Sequence, residues 1–133
     1  MTSLEFRHAT GDDLDALVKL ENRCFTEDRL SRRSFRRFLD MPRDRLIVAV
    51  AGEELVGYCL VLMSLATRLA RIYSIAVSPS ERGRNIGERL VREAEAAAVE
   101  ADRIVMRLEV REDNAPAIRL YQRLGYRQFG TLR

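Results

Sequence analysis

The chain of 133 residues is 47% hydrophobic and 32% charged, a composition that fits one soluble globular domain and is too short for a second independent core. Its 23 basic and 20 acidic residues leave a formal charge of +3, and every basic residue except Lys19 is an arginine, a bias that favours a bound polyanion through phosphates or carboxylates but also fits a base-composition bias in the coding DNA and alone decides nothing. The longest apolar run, around Leu60 to Met63, is far shorter than the roughly 20 residues a membrane span needs, and no basic-apolar-small leader opens the chain, so the cytoplasm is the expected location. The lone histidine, His8, excludes a multi-histidine metal centre and reads as a structural or surface residue. Cys24 and Cys59 read as small core residues, not as a disulfide framework.

In chain order, Leu4 to Ala9 alternates apolar and polar residues and predicts a strand. Thr10 then precedes Asp12 and Asp13, and Leu14, Leu17, Val18 and Leu20 follow at helical spacing, which predicts a helix over Asp12 to Cys24. Ser31 is placed to cap a second helix, Arg32 to Leu39, with Phe35, Phe38 and Leu39 on its apolar side. The runs Arg45 to Val50 and Glu54 to Leu65, joined by Ala51-Gly52-Glu53, predict a hairpin, and Gly57 inside the second run suggests a bulge. Ala70 to Val77 reads as a strand, Ile86 to Ala101 as an amphipathic helix, and Arg103 to Val110 as a strand alternating Ile104, Met106, Leu108 and Val110 against polar residues. Asn114 to Leu124 predicts a helix ended by Gly125, and Tyr126 to Leu132 a last strand. Local hairpins followed by strand-helix-strand units call for a mixed α/β sheet covered by helices on both faces.

The stretch from Ile75 to Gly87 runs from strand through loop into helix, a geometry that aims free backbone N–H groups and the positive helix end at one place and so suits phosphate. It has neither the P-loop lysine nor the three-glycine dinucleotide spacing. It resembles the acetyl-CoA motif of the GCN5-related N-acetyltransferase (GNAT) superfamily, here Arg82-x-x-Asn85-x-Gly87, with Asn85 where glycine is usual. Asparagine is the side chain that best tolerates a left-handed backbone.

A second constellation, Leu108-Glu109-Val110-Arg111, then Asn114, then Ala117-x-x-Leu120-Tyr121 and Gly125-Tyr126, is similar to that of the RimI-type ribosomal-protein-alanine N-acetyltransferases. With Ile75-Ala76-Val77 the match covers Ala70 to Tyr126, and Leu20-Glu21-x-x-Cys24-Phe25 agrees with it. The resemblance implies the GNAT fold, a mixed and mostly antiparallel sheet. It implies acetyl-CoA as co-substrate, with no metal. It assigns coenzyme contacts to Ile75, Ala76 and Val77, to the loop and first helical turn of Arg82, Gly83, Arg84, Asn85, Ile86, Gly87 and Glu88, and to Asn114. Glu109 becomes the proton acceptor and Tyr121 the donor to the departing thiolate. Backbone near Val77 becomes the oxyanion donor. The implied reaction is direct transfer of acetyl to a primary amine, foremost a protein N-terminus.

Other readings of the same residues are acetylation of a small amine or a lysine side chain, and a non-catalytic coenzyme-binding domain. Nucleic acid is not the expected partner, because Phe35 and Phe38 among Arg29, Arg32, Arg33, Arg36 and Arg37 have the spacing of core residues. Against its relatives the chain stops one antiparallel strand early, which predicts either truncation or a homodimer through the exposed C-terminal strand edge.

Overall fold

The computed structural model describes residues 3–81, 83–110 and 115–127. Its elements run β1 (Leu4–His8), α1 (Leu14–Cys24), α2 (Arg32–Leu39), β2 (Arg45–Ala51), β3 (Glu54–Met63), β4 (Leu69–Val77), α3 (Ile86–Glu100), β5 (Val105–Leu108) and α4 (Ala115–Arg123). The sheet order is β1-β2-β3-β4-β5. The first four strands form an antiparallel meander, and β5 joins parallel to β4 after the α3 crossover.

Alternation along the strands divides the interior in two. Leu46, Val48, Val50, Tyr58 and Leu60 meet Leu14, Leu17 and Leu20 of α1 and Phe35 of α2 on one face. Ile47, Ala49, Cys59, Val61, Met63 and Ile72 meet Ile86, Leu90, Val91 and Ala94 of α3 and Tyr121 of α4 on the other. The predicted helices on both faces are therefore present, and Phe35 is fully buried.

Two bulges break this alternation. In β3 the register slips between Ala49 and Val50 of its partner, leaving Val56 as the extra residue next to Gly57. Both positions then face α3, and a Cβ on Gly57 would lie 3.1 Å from Leu90 Cδ1 and 3.2 Å from Ile86 Cγ2. The bulge read from Gly57 is thus real, and glycine is needed there for lack of room. In β4 the slip falls between Ser74 and Ile72, so that Tyr73 is the extra residue.

Several boundaries differ from expectation, two of them for reasons visible in the side chains. A single 3₁₀ turn, Gly11–Asp13, precedes α1, because Asp13 folds back to accept the Thr10 N–H at 2.8 Å and a bidentate pair from Arg7 at 2.8 and 3.0 Å. β5 is shorter than Arg103 to Val110: Ile104 lies past the end of α3 and is 74% exposed, while Met106, Leu108 and Val110 do pack on the α3 side. Arg103, expected on the outward face, instead donates to the carbonyls of Ala101 and Ser64 and pins the α3-β5 turn. The predicted last strand falls mainly on residues outside those described, and the proposed dimer edge falls there with it.

The pair with Arg7 holds the Asp13 carboxyl below its ordinary range, against the opposing effect of burial. A depressed folded-state pKa stabilises above the unfolded value and is lost as pH falls. Asp13→Asn should therefore cost about 1–2 kcal/mol near neutral pH, and the gap from wild type, read by urea unfolding, should close as pH drops below about 4.

Candidate active site

The Tyr73 bulge lies where the sheet opens. β4 and β5 pair from Leu69 with Val105 to Ile72 with Leu108, after which β4 continues for five residues, Tyr73 to Val77, with no β5 partner among the described residues. Diverging parallel strands leave one edge of β4 with backbone groups available to a ligand. Because Tyr73 is extra, both it and Ser74 turn toward α1 and α2, whereas Ile75 and Val77 return to the α3-α4 side.

A cleft of about 190 Å³ fills the divergence. Its walls are Tyr73, Ser74 and Ile75 of β4, Glu109 and Val110 just past β5, Ala117 and Tyr121 of α4, and Glu21, Phe25, Glu27 and Asp28 from α1 and the segment after it. The two residues assigned opposite proton-transfer roles, Glu109 and Tyr121, thus face one space. Glu109 is half-exposed and 3.4 Å from Arg71 Nη1. Tyr121 is buried, and burial first, with Cys59 second, pushes its phenol pKa up. It therefore keeps its proton across the physiological range, as a donor must. The Cys59 thiol is pushed up to about 12 by burial and is inert by the same reasoning.

Just past the C-terminal end of β4, a 3₁₀ turn, Pro79–Glu81, leads into the phosphate loop. Gly83 has φ 95 and Asn85 φ 60, so the departure from the family pattern is accommodated in the left-handed region that asparagine tolerates. Asn85 stands at the N-cap of α3 without a side-chain capping bond. The first α3 N–H groups are accordingly left for a ligand. Arg84 pairs with Glu81 at 3.3 Å, and Glu88 with Arg123 of α4 at 3.7 Å. Gly87 also packs closely on α4: a Cβ there would lie 3.3 Å from Leu120 Cδ2, so Leu120 would have to shift by a few tenths of an ångström. Ala76 and Ile86 are buried core residues, so binding at these positions is open to their backbone only. Arg82 and Asn114 lie outside the described residues.

Sequence reasoning missed the polar group at the closed side of the cleft. Glu21 is 1% exposed. It accepts from Tyr58 Oη at 2.5 Å and from the Leu30 N–H at 2.7 Å, and Tyr58 Oη lies 2.7 Å from Ser74 Oγ. Desolvation raises the Glu21 pKa, against the lowering effects of Tyr58, the Leu30 N–H and Arg29. Its signal was present: Glu21 continues the apolar stripe of Leu14 and Leu17 at helical spacing, where a glutamate is costly unless partnered. Tyr73, 47% exposed, also went unseen; it packs against Phe38 with ring centroids 5.9 Å apart and lies under Arg71.

Parted strands, a left-handed loop before a helix and a cleft lined by both an acid and a tyrosine suit an acyl-coenzyme A acyltransferase. The family model for the acetyltransferase (GNAT) family matches residues 14–126, and the chain belongs to that family. It is 30% identical over 129 residues to a putative ribosomal protein bS18-alanine N-acetyltransferase of Bacillus subtilis, covering 97% of this chain and 84% of the relative. It is 33% identical over 132 residues to the N-alpha-acetyltransferase RimI of Mycobacterium tuberculosis, covering 93% and 78%. In fold it matches the PaiA N-acetyltransferase of Thermoplasma acidophilum in complex with coenzyme A, with TM-score 0.86 and 18% identity over 94% of this chain and 90% of that one. The chain is an N-acetyltransferase and resembles the RimI group within the family. No helix among the described residues is long and apolar enough to cross a membrane, and no cluster of metal-binding side chains occurs among them.

Because Asn85 fills a left-handed position, Asn85→Gly should leave the melting temperature within about 1 kcal/mol equivalent of wild type. Removing the side chain from the phosphate loop should tighten coenzyme A binding severalfold in calorimetry.

Proposed function

We propose that the protein transfers acetyl from acetyl-CoA to a primary amine, most often the α-amine of a protein N-terminus, in the cytoplasm. The observation that carries this reading is that Glu109 and Tyr121 line one cleft, where β4 leaves β5. The relatives named as a ribosomal protein bS18-alanine N-acetyltransferase and an N-alpha-acetyltransferase support the acceptor class.

Acetyl-CoA supplies the activated acyl group. On the protein side, the N–H groups at the start of α3 and the left-handed turn before it receive the pyrophosphate, with Arg82, Arg84 and the Gly87-Glu88 peptide units around it. The free edge of β4 at Ile75 and Val77 pairs with the amides of the pantetheine arm, and Asn114 binds near that arm. Backbone near Val77 donates to the oxyanion.

An ammonium cannot attack, so the acceptor nitrogen sheds two protons in becoming an amide. Glu109 takes the one released as the nitrogen attacks, and Tyr121 gives one to the coenzyme sulfur. An α-amine titrates near 8, against about 10.4 for lysine, so it is the easier group to deprotonate near neutral pH. Glu27, Asp28 and Glu109 line the acceptor side and favour a cationic acceptor over an anionic one.

The test is coenzyme release with short alanine-starting peptides, the same peptides N-terminally blocked, and a lysine-containing blocked peptide. Turnover should require the free N-terminus; equal turnover of the blocked lysine peptide would replace the acceptor class. Glu109→Gln and Tyr121→Phe should each lower kcat by about 10²-fold or more, with coenzyme binding retained, and undiminished kcat would remove them from these roles.

A further inference from the structure

The ammonium's first proton, the one shed before attack, needs a route of its own. Glu109 is half-exposed and is drawn to Arg71. The cleft holds a second carboxylate, that of Glu21, which is shielded from water and joined to the cleft wall by two hydroxyls.

The direction of this chain follows from counting protons. A carboxylate has none to give, so Tyr58 Oη donates to Glu21 Oε1 across 2.5 Å. Tyr58 has one proton and it is spent, so the 2.7 Å contact between Tyr58 Oη and Ser74 Oγ must be donated by Ser74. The Ser74 hydroxyl makes no other hydrogen bond among the described residues, so its lone pairs remain to accept from a group in the cleft. Each link points inward, from cleft to Glu21. The Tyr73 bulge is what turns Ser74 to this side.

We propose that Ser74 and Tyr58 conduct the acceptor's first proton to Glu21, which stores it while the neutral amine reacts. This rests on reading the cleft as the amine site. The ammonium N–H donates to Ser74 Oγ, the Ser74 proton passes to Tyr58 Oη, and the Tyr58 proton passes to Glu21 Oε1. R–NH₃⁺ and a carboxylate become R–NH₂ and a carboxylic acid, with no other bond made or broken. When the acetylated product leaves, the chain runs backward to water in the cleft, releasing the proton that balances the overall reaction.

The surroundings of Glu21 suit storage. Desolvation raises its affinity for a proton. On its own helix, one turn on, is Cys24, whose thiol donates to the Val77 carbonyl at 3.4 Å. From the segment after α1 come the Leu30 N–H and Arg29, which favour the charged form and keep Glu21 ready to accept. From β3 comes Tyr58, itself raised by burial first and by Glu21 second, and so never ionised in the relay. From α2 the neutral ring of Phe35 meets Tyr58 edge-on, with centroids 5.4 Å apart.

The relay predicts a loss that depends on whether the acceptor arrives protonated. Wild type, Ser74→Ala, Ser74→Thr, Tyr58→Phe and Glu21→Gln are compared with an alanine-starting peptide and with glycinamide, at about pH 7 and about pH 9.5, on either side of the α-amine pKa. Ser74→Ala and Glu21→Gln should lower kcat at least tenfold at the lower pH and lie within about threefold of wild type at the higher. Ser74→Thr, which keeps the hydroxyl, should restore the rate. A merely structural role would give the same loss at both pH values, and that result, or a Ser74→Ala rate within threefold of wild type at the lower pH, overturns the proposal. Tyr58→Phe and Glu21→Gln are read only if their melting curves are cooperative; Ser74→Ala decides the matter alone if they are not. Turnover of glycinamide without the peptide would remove the protein N-terminus as acceptor and leave the relay to be judged on glycinamide.

Discussion

The shape of the cleft depends on β4 being one residue too long for β3. The extra residue, Tyr73, sits beside the last β4-β5 pair. A regular strand would have kept its alternation and turned Ser74 away from Tyr58. With the bulge, two successive side chains face the α1-α2 side and the next apolar ones face α3 and α4, so a single strand lines the cleft, serves the core on both faces and keeps a free edge. The second bulge, at Val56 and Gly57, does the complementary work in β3: it restores the phase so that Tyr58 reaches across to Glu21.

Burying a carboxylate is expensive, and a cavity that only had to be filled would hold leucine. Glu21 keeps both oxygens bonded, one to a backbone N–H after α1 and one to a phenol of the sheet. It thereby ties the segment after α1 to β3, and through Tyr58 to Ser74 of β4. The other buried acid, Asp13, is partnered as fully but by an arginine, and its pKa moves the opposite way. The two carboxylates sit at opposite ends of one helix and differ in their partners: a cation with a fixed charge makes a permanent ion, while a phenol leaves room for a proton.

Much of this was legible in the residues alone. The bounds of α2 matched the expectation, the hairpin formed at Ala51 to Glu53, and α3 ran to within one residue of its expected end, because capping, period and turn chemistry are local signals. Glu109 and Tyr121 were singled out through the resemblance of their surrounding motif to the RimI-type enzymes, and the structure brings both to one cleft. What stayed hidden was set by tertiary contact. Ile104 continues the alternation of β5, yet no helix covers it. Ser74 is an ordinary serine until a bulge aims it at Tyr58. Glu21 breaks an apolar stripe in plain view, but its partners lie 9 and 37 residues away.

Gly87 belongs to the phosphate end of α3, and Leu120 to the same helix as Tyr121. The absent methyl lets the two helices touch at Leu120, and Arg123 reaches Glu88 across the same seam. The start of α3, which leads out of the left-handed loop, and the helix that carries Tyr121 are therefore packed as neighbours, so a side chain added at Gly87 would be felt on the helix of Tyr121 as well as at the loop.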